Sequence, residues 1–254
     1  MNKLLLVVER DIRLFFQYKF LIIIRAIWFV SQIALFGLIA SRMVYVQGID
    51  YFRYYVAGLS VMTLYSAAVF IGFDIYEEAE HGVFEYLLSL PVSRRQLVLG
   101  RSIGGGLRSF IYVGPLIALS LYVIGSLNPL GFLIALFALF LFSFGVSGMS
   151  ITIAVMIKSS DRFDILMGVL DALIVRLSTA MYPLAVVQAA NPLYGGVASF
   201  NPVTFATDLF RWGAGVTLLD NPLLPLLGIV AFFSLFTLVG VILYEQHIEG
   251  GGWQ

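Results

Sequence analysis

The chain has 254 residues, 60% of them hydrophobic and 12% charged, with 15 Lys plus Arg against 15 Asp plus Glu. A soluble domain carries about 25% charged residues. Half that share, with a mean hydropathy of +0.96, marks an integral membrane protein and excludes soluble enzyme folds, a basic nucleic-acid-binding face and intrinsic disorder.

In chain order, Leu4 to Gln17 comes first, with apolar residues at 4, 5, 8, 12, 15 and 16 and polar ones at 9, 10, 13 and 17, the spacing of a helix. Such a helix over residues 1–19 would lie in the membrane interface with Leu5, Val8, Ile12 and Phe16 toward lipid. Glu9 and Arg13 would pair at i, i+4 on its wet face. A plain flanking segment snorkelling into headgroups fits the same pattern. No cleavage-site pattern precedes the first apolar stretch, so the opening residues are expected to be retained.

A bilayer core of about 30 Å needs about 20 apolar residues per helix. Six stretches meet this: Phe20 to Ser41, Tyr54 to Ile75, Ile103 to Ser126, Gly131 to Ile157, Phe163 to Val187 and Leu223 to Tyr244. Lys3, Arg10, Arg13, Lys19, Arg94, Arg95, Arg101, Arg108, Lys158 and Arg162 flank one side, against Arg42, Arg53 and Arg211 on the other. That asymmetry predicts both termini in the cytoplasm. Arg25 lies inside the first stretch near its end, where it can snorkel.

Between the second and third stretches lies the longest cytoplasmic loop, 77–101. It opens on Glu77, Glu78 and Glu80, passes His81-Gly82, and continues Phe84-Glu85-Tyr86-Leu87-Leu88-Ser89-Leu90-Pro91-Val92-Ser93-Arg94-Arg95. Phe84, Leu87 and Leu88 have helical spacing, Pro91 must end that short helix, and Ser93 is a natural N-cap for the next. Leucines shown to water there suggest a docking surface for another protein, although packing on the chain's own helices would explain them too. Gly100 and Gly104 form a small-xxx-small pair that permits close helix approach or a kink.

In the fifth stretch, Asp171 and Arg176 lie in apolar sequence, where a charge costs at least about 2.5 kcal/mol and seeks a partner or a wet cavity. Five residues apart, they fall about 140° around an α-helix from each other, so each would need a partner of its own. Pro183 to Pro222 is too broken by Pro192, Gly195-Gly196 and Pro202 to span the bilayer. Leu184 to Ala190 and Val203 to Trp212 would be a half-helix and a return helix at the outer face, with Asp208, Arg211 and Trp212 near the headgroups.

Several chemistries find no residues here. The chain has no cysteine, so disulfides, thiolate nucleophiles and Cys-ligated metals are excluded, and His81 and His247 lack a co-ligand pattern. The three lysines follow Asn2, Tyr18 and Ile157, so no Gly-Lys pair can form a P-loop. Gly145-Val146-Ser147-Gly148 resembles the nucleophile motif of rhomboid intramembrane proteases, but both histidines lie in cytoplasmic segments and no base stands beside the serine. Small residues packing helices explain that motif.

Three motifs occur in order: Glu80-His81-Gly82-Val83 with Leu87-Leu88-Ser89-Leu90-Pro91-Val92-Ser93; Leu177-Ser178-Thr179-Ala180-Met181-Tyr182-Pro183-Leu184; and Asn201-Pro202-Val203-Thr204 running to Asp208 and Arg211. In these motifs, and in the topology around them, the chain resembles the membrane subunits of ABC-2 type transporters. It departs from the family's pattern at Thr179, where glycine is usual, and in carrying Asp171 and Arg176. The resemblance implies an all-α integral membrane protein whose single transmembrane domain covers 1–254. Six transmembrane helices would follow the N-terminal interfacial amphipathic helix, with a cytoplasmic coupling helix in 77–101 and a broken outer hairpin in 188–221. It further implies a permease subunit of an ATP-driven exporter in the cell membrane, moving a hydrophobic drug, lipid or lipid-linked substrate. The chain would have no catalytic role and no cofactor of its own; ATP and Mg would bind a separate P-loop ATPase subunit, and a second permease copy or close paralogue would complete the pathway. Glu85, Leu87, Leu88, Leu90, Pro91, Arg94 and Arg95 would couple to the ATPase, and Asn201, Pro202, Asp208 and Arg211 would build the outer hairpin. Two other function classes fit the residues: a channel or secondary transporter using Asp171 and Arg176, and a structural membrane partner.

Overall fold

The computed structural model describes residues 3–16, 19–43, 48–89, 91–157 and 159–248, and every regular element among them is helical. The elements are α1 (Lys3–Phe15), α2 (Lys19–Ser31), a π-helical turn π1 (Gln32–Gly37), α3 (Leu38–Met43), α4 (Tyr51–Val69), α5 (Ile71–Glu80) and α6 (Val83–Ser89). They continue with α7 (Arg94–Ile124), α8 (Pro129–Ile157), α9 (Ser160–Leu170), a second π turn π2 (Asp171–Val175), α10 (Leu184–Ala190), α11 (Pro192–Ser199), α12 (Pro202–Gly213) and α13 (Leu223–Ile248).

Five helices among the described residues are long and apolar enough to cross a bilayer: Ala26–Met43, Tyr51–Glu80, Arg94–Ile124, Pro129–Ile157 and Leu223–Leu243. The expected fifth stretch, Phe163 to Val187, is not one continuous helix. It is helical from Ser160 through π2 to Val175, a rise of about 24 Å, and then passes through turns from 176 to 182. Pro183 ends any helical continuation, because the residue before a proline is pushed out of the α region. The segment between Pro183 and Pro222 also contains α11, which its sequence pattern did not suggest.

Helix α8 is the centre of the bundle and packs against α4, α5, α7, α12 and α13. Its serines reach into the break between α4 and α5. Ser147 Oγ donates to the Ala68 carbonyl at 3.2 Å and Ser150 Oγ to the Val69 carbonyl at 2.5 Å. Gly145 lies against Phe232 and Phe233 of α13. The rhomboid-like fragment is thus a packing seam, as small residues in apolar helices ordinarily are. By contrast, only 12% of the first span and 11% of the last are buried by the rest of the chain. Their side chains, Ile27, Trp28, Leu35 and Leu238 among them, face outward as lipid demands.

α1 forms where its periodicity predicts, and Arg13 pairs with Glu9 at 2.6 Å. Its predicted lipid face is only partly right. Leu5 and Phe16 are exposed, but Val8 is buried together with Val7 and Asp11. The reason lies in α7: a Cβ added at Gly100 would stand 2.9 Å from Val7, and one at Gly104 3.0 Å from Asp11. The two glycines open a groove in which α1 seats, so this helix packs on protein along its Val7 and Asp11 face.

Candidate functional site

At the α6 end of the bundle, Gly82 adopts φ +68° and lets the chain reverse between α5 and α6. α6 stops at Ser89, ahead of Pro91. Ser93 then caps α7: its Oγ accepts from Gln96 N at 3.2 Å while Ser93 N donates to Gln96 Oε1 at 3.3 Å, a reciprocal capping box. The short helix, break and capped basic helix of the sequence reading are all present. The expectation that its leucines face water fails at Leu87, which is 6% exposed and belongs to the core; Tyr86, at 63%, is the outward residue. One face of α6 closes over the bundle, where Val83 and Leu87, four positions apart, pack on the core. Pro91 and Arg95 are exposed and Arg94 is half-buried. Leu90, and the side chains of Glu85, Leu88 and Arg25, lie outside the described residues.

Beneath α6 an ion cluster joins three elements. Glu78 on α5 takes Arg10 of α1 at 2.5 Å and also pairs with Arg101 of α7. Arg108 pairs with Asp74 at 2.5 Å, and Arg10 also contacts Asp11 at 3.2 Å. Arg101 is 1% exposed and Arg108 7%, so neither is the surface charge that the orientation count implied. The sequence reading missed this cluster; the signal that could have pointed to it is that Asp74 and Glu78 share a helix face at i, i+4 and Arg101 and Arg108 share one at i, i+7. A cavity of about 500 Å³ opens beside it, lined by Arg10, Asp11, Asp74, Glu77, Glu78, His81 and Arg108. Burial pushes the Asp11 carboxyl up to about 6, against the opposing pull of Arg101 and Arg10.

At the opposite end, the turns at 176–182 carry carbonyls that no helix satisfies, and side chains from α4 and α12 supply the donors. Tyr54 Oη donates to the Thr179 carbonyl at 2.9 Å, and Tyr51 Oη to that of Met181 at 2.9 Å. Arg211, 0% exposed, donates to the carbonyls of Ala180 at 2.7 Å and Tyr54 at 3.2 Å, while its guanidinium lies 3.3 Å over the Tyr54 ring. Asp208 contacts Arg211 at 3.6 Å and accepts from Thr179 Oγ1 at 3.3 Å. Asn201 caps α12 by accepting from Val203 N at 2.9 Å, Pro202 follows as first helical residue, and Asn201 Nδ2 donates to the Ile174 carbonyl at 2.7 Å. A Cβ on Gly58 would overlap the Ala180 carbonyl oxygen, so α4 needs glycine there.

Asp208, Arg211 and Thr179 therefore meet in one knot, while Asn201 ties the start of α12 to the Ile174 carbonyl beside it. Arg211 is enclosed by protein rather than exposed on the helix surface, because leaving buried carbonyls unpaired costs more than burying a cation that satisfies them. Tyr51, Tyr54 and Gly58 were missed, because in sequence they are ordinary members of an apolar span.

Asp171 and Arg176 also sit differently from the α-helical estimate. Between them the backbone is π-helical, with Arg176 N donating to the Asp171 carbonyl at 3.3 Å. That wider turn brings positions five apart onto one side, so the two charges need not find separate partners. Asp171 is half-buried and Arg176 exposed.

Apolar helices of membrane length, a capped helix pair at one end and a side-chain-stitched broken hairpin at the other define a multi-pass membrane protein. The family model for ABC-2 type transporter matches residues 2–214. The chain therefore belongs to the ABC-2 type transporter family and is a permease of an ABC-type transporter. Among curated proteins, none matched.

Proposed function

We propose that this permease is the membrane half of an ATP-driven exporter in the cell membrane, with the α6 end in the cytoplasm and two copies, or a copy and a paralogue, forming the pathway. A separate P-loop ATPase binds ATP and Mg and docks on α6, Pro91 and the start of α7, where Arg94 and Arg95 meet its acidic side chains. ATP binding closes the ATPase pair, moves α6 and shifts the bundle between inward-facing and outward-facing populations. The cargo is a hydrophobic drug, lipid or lipid-linked molecule that enters from the bilayer.

The observation that carries this reading is the rigid connection under α6. Leu87 is anchored in the core, and Glu78 ties α5 to both α1 and α7 through buried ion pairs. A push on α6 is then passed to three elements rather than absorbed by a loose loop. The test is charge reversal at Arg94 and Arg95 to Glu, with the chain co-purified in mild detergent and assayed in inverted vesicles loaded with a fluorescent phospholipid or hydrophobic dye. The expected result is a chain that still inserts, with ATP turnover uncoupled from transport. Normal transport by the double variant removes the two arginines from the docking site, and purification with no ATPase at all removes the exporter reading.

A further inference from the structure

Asp11 is the ionisable group that the coupling role leaves without a task. It sits on α1 with its side chain 3% exposed, pressed against Gly104 of α7. Its Oδ1 takes Arg10 Nη1 at 3.2 Å, and its Oδ2 is buried with no hydrogen-bond partner among the described residues. The groups that face it are Arg10 on its own helix, Arg101 and Arg108 on α7, Asp74, Glu77 and Glu78 on α5, and His81 just beyond α5. Glu78 already bridges Arg10 and Arg101, and Asp74 already holds Arg108. A second carboxylate charge beside Glu78 therefore shares Arg10 with it and keeps its buried Oδ2 without a hydrogen bond, and an unpartnered buried oxygen is costly when charged. The adjacent 500 Å³ cavity gives a proton a way in.

We propose that Asp11 is a proton-binding latch: protonated, it holds α1 seated in the Gly100–Gly104 groove of α7, and ionised, it favours release of α1 to the membrane interface. The signs agree. Seated, the Asp11 carboxyl titrates at about 6, and released into water it returns to 3.8. The seated state thus binds the proton more tightly and gains weight as pH falls. Between pH 8 and pH 5 the ratio of seated to released α1 rises about tenfold. The latch stands on the geometry of α1 and needs no assumption about an ATPase; its consequence, that acidification stiffens the path beneath α6, rests on the exporter reading.

The chain has no cysteine, which makes the test direct. Spin labels at Arg13→Cys on α1 and Glu80→Cys on α5, in the full chain in phosphatidylcholine nanodiscs, report the separation of the two helices by double electron–electron resonance. Amide hydrogen exchange of α1 in the native chain, corrected for the intrinsic pH dependence, reads the same equilibrium where the released population is small. The expected result is a seated distance and a protection factor that both gain from pH 8 to pH 5. Asp11→Asn should remove the pH response with α1 kept seated, and His81→Gln should leave the response intact. Unchanged exchange and unchanged distances across the range, a response that survives in Asp11→Asn, or one that disappears in His81→Gln overturns the latch. Should Asp11→Asn fail to fold, the native chain and His81→Gln still decide.

Discussion

Arg211 is the clearest case of one residue holding a backbone that has no other support. The Ala180 carbonyl, in a turn outside any helix, takes its hydrogen bond from the guanidinium, which also donates to the Tyr54 carbonyl of α4 and lies against the Tyr54 ring. Leaving a buried acceptor unpaired costs about 1–3 kcal/mol. Arg211→Met should therefore lower stability by about 1–3 kcal/mol, read as an earlier thermal unfolding midpoint of the purified protein in detergent. Arg211→Lys should not restore it, because one ammonium cannot both reach two carbonyls and stack flat on a ring. A midpoint like the parent's in either variant would mean that water or lipid headgroups serve those carbonyls. At the same scale, Thr179 has a use where the family pattern has glycine: its hydroxyl donates to Asp208 and its amide to Thr204 Oγ1.

Among the elements, α1 shows how local pattern and tertiary packing divide the work. Its helical periodicity and its Glu9–Arg13 pair are properties of a short stretch of chain, and both can be read there. Which face it buries is decided by α7, whose Gly100 and Gly104 accept Val7 and Asp11 from more than eighty positions away. Gly100→Ala weighs the two contributions. Alanine improves the propensity of α7 by about 1 kcal/mol, yet its methyl would stand 2.9 Å from Val7, and overpacking costs about 1–3 kcal/mol. The clash should win locally: amide exchange in α1 speeds up while that of α7 is unchanged. Equal protection of α1 would show that the helix can shift along its groove without cost. α6 follows the same logic in reverse, since its leucine spacing predicts a helix correctly but cannot say that Leu87 points inward.

For the molecule as a whole, the energy source separates an ATP-driven exporter from an ion-driven carrier. Asp171 and Arg176 would be central to an ion-driven pathway, but π2 places them on one side of the chain and Arg176 is exposed. Under the exporter reading, Asp171→Asn should keep ATP-dependent transport in inverted vesicles within about twofold, and a protonophore should leave that transport intact. Loss of transport in Asp171→Asn together with sensitivity to the protonophore would instead support a proton-driven carrier.

The sequence by itself determined the membrane class, the positions of most spans, the capped start of α7 at Ser93 and the residues of the outer motif. All of these follow from rules that act along one continuous stretch of chain: lipid demands an apolar run of fixed length, a proline ends a helix, a serine caps one. Only the tertiary structure decided that Arg101, Arg108 and Arg211 are buried, that α1 lies in a glycine groove, and that the fifth apolar stretch stops at Val175. Those outcomes depend on where a partner stands in space. A buried charge is tolerable only beside its counter-charge or carbonyl, and that neighbour lies tens to more than a hundred residues away, on another helix.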